Sequence, residues 1–290
     1  MHVANGNPLG IVSAMKAERA YLICTSPRSG STLLAEGLRS TGVAGNPQEW
    51  FSPLATRDNK WVRNLHDLND VRSWHLELGS DSEFLQRVMA LGSTPNGTFG
   101  AKLHLGQIPE IKRRLRNHHG DPVAAFGTLL ARTFPEVRFI WLRRRDKAAQ
   151  AISAYRAIKS GEFVKMSPTA SPSSSDASAE ERDFDIKEVH RYADLFTGQD
   201  AMWEQIFPRL GTEPLVIDYE ELASHYTRTM QQVLEFLQLR TITQNELRPV
   251  TLRQADALSA RWHERFTARY PTIHKDSPEQ LQPWLDALLN

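Results

Sequence analysis

Tyr21-Leu22-Ile23-Cys24-Thr25-Ser26-Pro27-Arg28-Ser29-Gly30-Ser31-Thr32 passes from an apolar run into a short polar loop, and Leu33-Leu34-Ala35-Glu36-Gly37-Leu38 follows with helical spacing. An apolar run from Ala20 to Thr25 without polar alternation predicts a strand buried on both faces, as in a parallel sheet. The loop offers small hydroxyl residues, one glycine and one arginine. Its N–H groups and hydroxyls can converge on an anion at the positive end of the following helix. Gly30 lets the backbone approach closely, and Arg28 adds a fixed charge. The segment therefore predicts a phosphate cradle. The competing reading is an ordinary strand-to-helix turn with Arg28 solvated. A Walker A loop, GxxxxGK[ST], needs a lysine beside its second glycine; here the cation precedes a single glycine. A tyrosine-phosphatase loop would carry arginine where Gly30 stands.

Working outward, apolar runs predict further buried strands at Thr98–Leu103, Arg138–Leu142 and Pro214–Ile217. Between them lie helical patterns near 83–91, 107–116, 122–133, 146–160, 184–207, 219–238 and 252–269. Strands alternating with helices indicate an α/β fold with a central parallel sheet flanked by helices. Residues 1–19 lack periodicity and read as a flexible leader; residues 20–290 read as one domain. Ser167–Ser178 carries six serines and two prolines in SPTASPSSSDAS. It marks an insertion near 164–182 that cannot bury enough apolar area to offset its ordering entropy. It reads as a passive surface loop or as a lid beside a cleft.

The 290 residues suffice for a core without staples. Lys+Arg is 35 and Asp+Glu is 34, a balance that argues against a nucleic-acid binder. The single cysteine, Cys24, excludes an internal disulfide and a cysteine-built zinc site, and it suits a reducing cytosol. Mean hydropathy is −0.45, and no run approaches the about 18 apolar residues of a membrane span. No secretory leader is legible in Met1–Ala20. These features predict a soluble cytoplasmic protein.

A second apolar run breaks into charge at Phe139-Ile140-Trp141-Leu142-Arg143-Arg144-Arg145-Asp146. In ATPases the corresponding strand ends in an acid that holds Mg²⁺; this one ends in arginines, and no metal is expected. Arg144 or Arg145, with Ser153 about two turns into the next helix, suits a second phosphate held by a guanidinium fork and a hydroxyl. The bland alternative is a basic rim. Gln48-Glu49-Trp50-Phe51 pairs polar groups with aromatics, as sugar sites often do, or simply anchors a loop. Lys102 in a doubly covered strand needs a partner or a cleft, and His104 stands at that strand's end. The run Lys112-Arg113-Arg114-Arg116 reads as a solvated helix face.

Together, PRSGSTLLAEGLRSTGVAGNPQEWF from Pro27, GTFGAKL from Gly97, WLRRRDKAAQAIS from Trp141 and LRQADALSARW from Leu252 resemble the bacterial trehalose-sulfotransferase family. More distantly they resemble the sulfotransferase superfamily that uses 3′-phosphoadenosine 5′-phosphosulfate. The resemblance spans roughly residues 20–265. It implies a P-loop NTPase-like three-layer fold, with Arg28, Ser29, Gly30, Ser31 and Thr32 around the 5′-phosphosulfate. Arg144 or Arg145, with Ser153, would hold the 3′-phosphate, and Arg253-Gln254 would close over the nucleotide. Many superfamily members use a catalytic histidine; in the closer family a carboxylate takes that role and matches Glu36. Helical spacing rotates Glu36 by about 200° from Leu34 and Leu38, away from the core. The resemblance also implies a homodimer.

The sequence thus points to a cytoplasmic sulfotransferase moving a sulfuryl group from that donor to a carbohydrate hydroxyl, on trehalose or a related glycan. Two alternatives stand beside it: a Mg-dependent kinase with a degenerate P-loop, and a non-catalytic nucleotide- or sugar-binding module.

Overall fold

The computed structural model describes residues 17–52, 79–134, 136–161, 184–239, 257–273 and 278–290. The greater part of the leader, the insertion near 164–182, and Arg253 and Gln254 lie outside the described residues.

Among the described residues, four parallel strands form one sheet in the order β2-β1-β3-β4. They are β1 (Arg19–Thr25), β2 (Thr98–Leu103), β3 (Arg138–Arg143) and β4 (Leu215–Asp218). Alternate residues of β1 enter opposite layers. Leu22 and Cys24 join Phe99, Ala101, Leu103, Phe139 and Trp141 in one core. Tyr21 and Ile23 join Ile140, Leu142 and Ile217 in the other. Both faces of β1, β2 and β3 are covered, which is why these strands carry no polar alternation. β4 departs from the buried strand expected at Pro214–Ile217: it lies at the sheet edge, and Val216 is exposed.

The first core is roofed by α2 (Asp81–Gly92), α3 (Ile108–His119), α4 (Phe126–Thr133), α6 (Ile186–Arg209) and α10 (Pro278–Leu289). The second is roofed by α1 (Ser31–Ser40), α7 (Tyr219–Ser224) and α8 (Tyr226–Phe236). Leu34 and Leu38, one turn apart on α1, are fully buried there. A third cluster joins α5 (Lys147–Ser160) to α6 and α9 (Ala257–Arg269) through Ile152, Tyr155, Val189, Trp262 and Phe266. The result is the expected P-loop NTPase-like three-layer α/β fold.

Several boundaries differ from the sequence reading. The pattern over 219–238 divides at His225, whose φ of −127° and ψ of 46° are not helical. The pattern near 122–133 begins as helix only at Phe126, after the turn in which the N–H of Ala124 reaches Asp121 O. Helix α10 has no counterpart in the sequence reading. Its presence corrects the solvated face for Lys112 and Arg116, whereas Arg113 is exposed as expected. Lys112 Nζ donates to Ala287 O at 2.9 Å, and Arg116 bonds Asn290 O, so α10 docks on these cations. Arg114 lies 3.8 Å over the Phe84 ring while pairing with Glu110 and Asp81.

Candidate active site

The cradle loop joins β1 to α1. Arg28 and Gly30 both take positive φ, 65° and 83°, and this curls the backbone as an anion-binding concavity requires. Gly30 is the N-cap of α1 and supplies no side chain to its first turn, leaving those N–H groups to another acceptor. A Cβ at Gly30 would stand 2.4 Å from Cδ2 of Tyr219, so any other residue here would displace that ring as well as strain the backbone at this φ.

The two basic segments meet here. Arg28 Nε donates to Ser153 Oγ on α5 at 3.0 Å. Arg144 Nη1 donates to Arg28 O at 3.3 Å, and its guanidinium lies 4.6 Å over the Tyr219 ring. Burial, then the neighbouring charge of Arg144, lowers the Arg28 pKa, and Tyr219 works weakly the other way. Two desolvated like charges side by side are stabilised by an anion. Arg145 points elsewhere. Its side chain is 56% exposed and faces Asp218, Glu220 and Glu221 at 3.6–3.9 Å. Arg143 pairs with Asp218 at 2.7 Å.

Sequence reasoning missed the support beneath the loop. Gln150, fully buried, donates to Pro27 O at 2.7 Å and to Ser29 Oγ at 3.0 Å. Ser26 Oγ donates to Asp200 Oδ1 at 2.9 Å, and Lys147 Nζ reaches Asp200 Oδ2 at 2.5 Å. Gln150 was legible as a polar residue inside the apolar spacing of α5; nothing in the sequence ties Asp200 to this loop.

A carboxylate region adjoins the cradle. Glu36, with 12% of its side chain exposed, accepts from Arg39 Nε at 2.8 Å and from Gln48 Nε2 at 3.2 Å. The segment carrying Gln48 rides on the edge strand: Lys102 N donates to Gln48 O at 2.9 Å. The next residue, Glu49, lies 3.2 Å from Lys102 Nζ and 3.5 Å from His104 Nε2. Partial desolvation by the surrounding protein opposes ionisation of Glu49, whose side chain is 38% exposed, but Lys102 and His104 outweigh it and hold the carboxyl well below the usual carboxylate range. His104 Nδ1 lies 3.0 Å from Thr25 O, which can only accept, so this nitrogen carries a proton. The partner that buried Lys102 requires is thus Glu49. Trp50 Nε1 donates to Asn46 O at 2.9 Å, so this indole braces its own segment. Among the described residues no group of His, Cys, Asp and Glu is placed to hold a metal, and no helix is long and apolar enough to cross a membrane.

Of the residues singled out by sequence, Arg28, Ser29, Gly30, Arg144 and Ser153 are brought together with the helix start at Ser31 and Thr32. Glu36 meets Gln48, and Glu49 meets Lys102 and His104. Arg145 is not brought to the loop. Fold and site define a P-loop NTPase-like protein whose loop after β1 is flanked by Arg28 and Arg144 rather than by a Walker lysine. The chain belongs to the Stf0 sulphotransferase family, whose model matches residues 20–269. It is therefore a sulfotransferase, an enzyme that takes a sulfonate group from a donor, and the kinase and binding-module readings are not favoured. It is 30% identical over 262 residues to a trehalose 2-sulfotransferase of Mycolicibacterium smegmatis, covering 85% of this chain and 94% of that one. It is 29% identical over 276 residues to a trehalose 2-sulfotransferase of Mycobacterium tuberculosis, covering 89% and 98%. The solved sulfotransferase domain from the curacin biosynthetic pathway overlays 92% of this chain and 97% of its own at 15% identity, with a TM-score of 0.46.

Proposed function

We propose that the protein transfers a sulfuryl group from 3′-phosphoadenosine 5′-phosphosulfate to a hydroxyl of trehalose or a related glycan. The observation that carries this reading is the meeting of Arg28, Ser153 and Arg144 at the loop that opens α1. The loop N–H groups and Arg28 receive the phosphosulfate, and Arg144 with Ser153 receives the 3′-phosphate. The placement of Arg144 supports it over Arg145, whose side chain is engaged by acids. The carbohydrate acceptor is read from the two relatives named as trehalose 2-sulfotransferases.

The acceptor hydroxyl attacks sulfur in line. Its oxygen–sulfur bond forms as the bond from sulfur to the phosphate oxygen breaks, and its proton passes to the Glu36 carboxylate. Negative charge grows on the leaving phosphate, where Arg28 and the loop donors lie fixed; donors preset toward developing charge are commonly the largest catalytic contribution. Gln48 orients Glu36. Glu49, Lys102 and His104 form a fixed polar wall suited to sugar hydroxyls, and Trp50 stiffens the segment that carries it. Transfer of label from [³⁵S]-donor to trehalose, with the product identified by mass spectrometry, tests the reading. Label that reaches no sugar would overturn the acceptor class.

A further inference from the structure

Beneath the cradle lies an ion pair that the proposed chemistry does not use. The side chains of Lys147 and Asp200 are 12% and 15% exposed. Shielded charges of this kind are tolerated when their remaining donors and acceptors are met, and they add little to stability over apolar groups of the same size. Here the outgoing bonds have a pattern. Lys147 Nζ donates to Asp200 Oδ2 and to Arg144 O, each at 2.5 Å, and to Gln150 Oε1 at 3.1 Å. An ammonium only donates, so this last contact fixes the Gln150 amide, with its Nε2 toward Pro27 O and Ser29 Oγ. Asp200 Oδ1 takes the Ser26 hydroxyl. Every arm therefore ends on the cradle loop, at Ser26, Pro27 or Ser29, or on the main chain of Arg144.

We infer that Lys147 and Asp200 are positioning residues that set the spacing between the cradle loop and Arg144, and so the preference for a nucleotide bearing anionic groups at both ends. This rests on the two-anion reading above. One ammonium, held by one carboxylate, is the joint between the parts that receive the two anions. Gln150 carries its influence into the loop.

Calorimetric titration with adenosine 3′,5′-bisphosphate and adenosine 5′-monophosphate tests it. Wild type should prefer the bisphosphate by about tenfold or more. The double variant Lys147→Met with Asp200→Asn removes both charges and leaves no unpaired buried ion. Its preference should fall to about threefold or less, with monophosphate affinity within about threefold of wild type. Asp200→Asn alone, which retains an acceptor for Ser26, gives the same readout should the double variant not fold. Equal losses for both nucleotides, or an intact preference, would overturn the inference. So would loss of the fold in both variants, because the pair would then hold the domain rather than the site. A wild type without preference would instead overturn the two-anion reading, and this inference with it.

Discussion

The Arg28 guanidinium touches the Ser153 hydroxyl at 3.0 Å, although 125 residues separate them in the chain. The loop after β1 and the helix after β3 thus form one basic surface. A ligand that bridges them gains from both, and one that reaches only the loop does not.

That surface predicts unequal roles for two adjacent arginines. Adenosine 3′,5′-bisphosphate should raise the melting temperature more than adenosine 5′-monophosphate. Arg144→Ala should erase the difference, because each lost charge-assisted hydrogen bond is worth about 1.5–3 kcal/mol, tenfold or more in affinity. Arg145→Ala should leave it nearly intact. Thermal-shift curves for the two variants decide the matter, and the reverse ranking would transfer the 3′-phosphate to Arg145.

Glu36→Gln retains size and still accepts from Arg39, yet it cannot take a proton from the acceptor. The transfer rate should fall by roughly 10²–10⁴, the usual contribution of a general base. Affinity for the bisphosphate should hold, since the cradle is untouched. An unchanged rate in a steady-state assay would leave Glu36 only its tie to Arg39 and Gln48.

Gly30→Ala forces a Cβ into a residue with φ of 83° and against the Tyr219 ring. The backbone strain alone is of order 1–3 kcal/mol. Displacing Tyr219 also disturbs the face on which Arg144 lies. Denaturant unfolding should show the stability loss, and titration should show bisphosphate binding weakened further than monophosphate binding.

Glu49 gives a pH signature. Its folded-state pKa is depressed by Lys102 and His104 against a partial desolvation. The stabilisation is therefore fully present above the unfolded value of about 4.3 and is lost as pH falls from there through the folded value. Relative to wild type, Glu49→Gln should melt lower at neutral pH, with the gap closing only in acid. Melting curves from pH 7 down to about 3 check the sign, and a gap independent of pH would remove the ion pair as its cause.

The apolar runs of β1, β2 and β3 were legible because both faces of each are covered; β4 was legible by its apolar residues alone, since Val216 on this edge strand is 42% exposed. The turn between β1 and α1 was legible because hydroxyls, glycine and arginine crowd one loop. Helical spacing correctly turned Glu36 away from Leu34 and Leu38. That Arg144 rather than Arg145 lies against the loop was hidden, since it depends on Asp218, Glu220 and Glu221 lying beside the end of β3 and on Tyr219 lying under Arg144. Lys147 and Asp200 were hidden for the same reason: a long-range ion pair has no local pattern. Lys112 and Arg116 looked solvated because their partners, the carbonyls of Ala287 and Asn290, lie in and just after a helix that sequence reasoning did not find.

The all-parallel sheet also constrains how the chain reaches its native state. β1 pairs Arg19 with Thr98 on one side and Tyr21 with Arg138 on the other, so none of its sheet partners is a neighbour in sequence. Such non-local pairing slows folding and prolongs the exposure of apolar strands. During synthesis the cradle cannot be framed until the ribosome has released β3 and α5, which carry Arg144 and Ser153. Catalytic competence is thus a late event in biogenesis, and conditions that lengthen this interval should reduce the yield of active enzyme through aggregation rather than through altered chemistry.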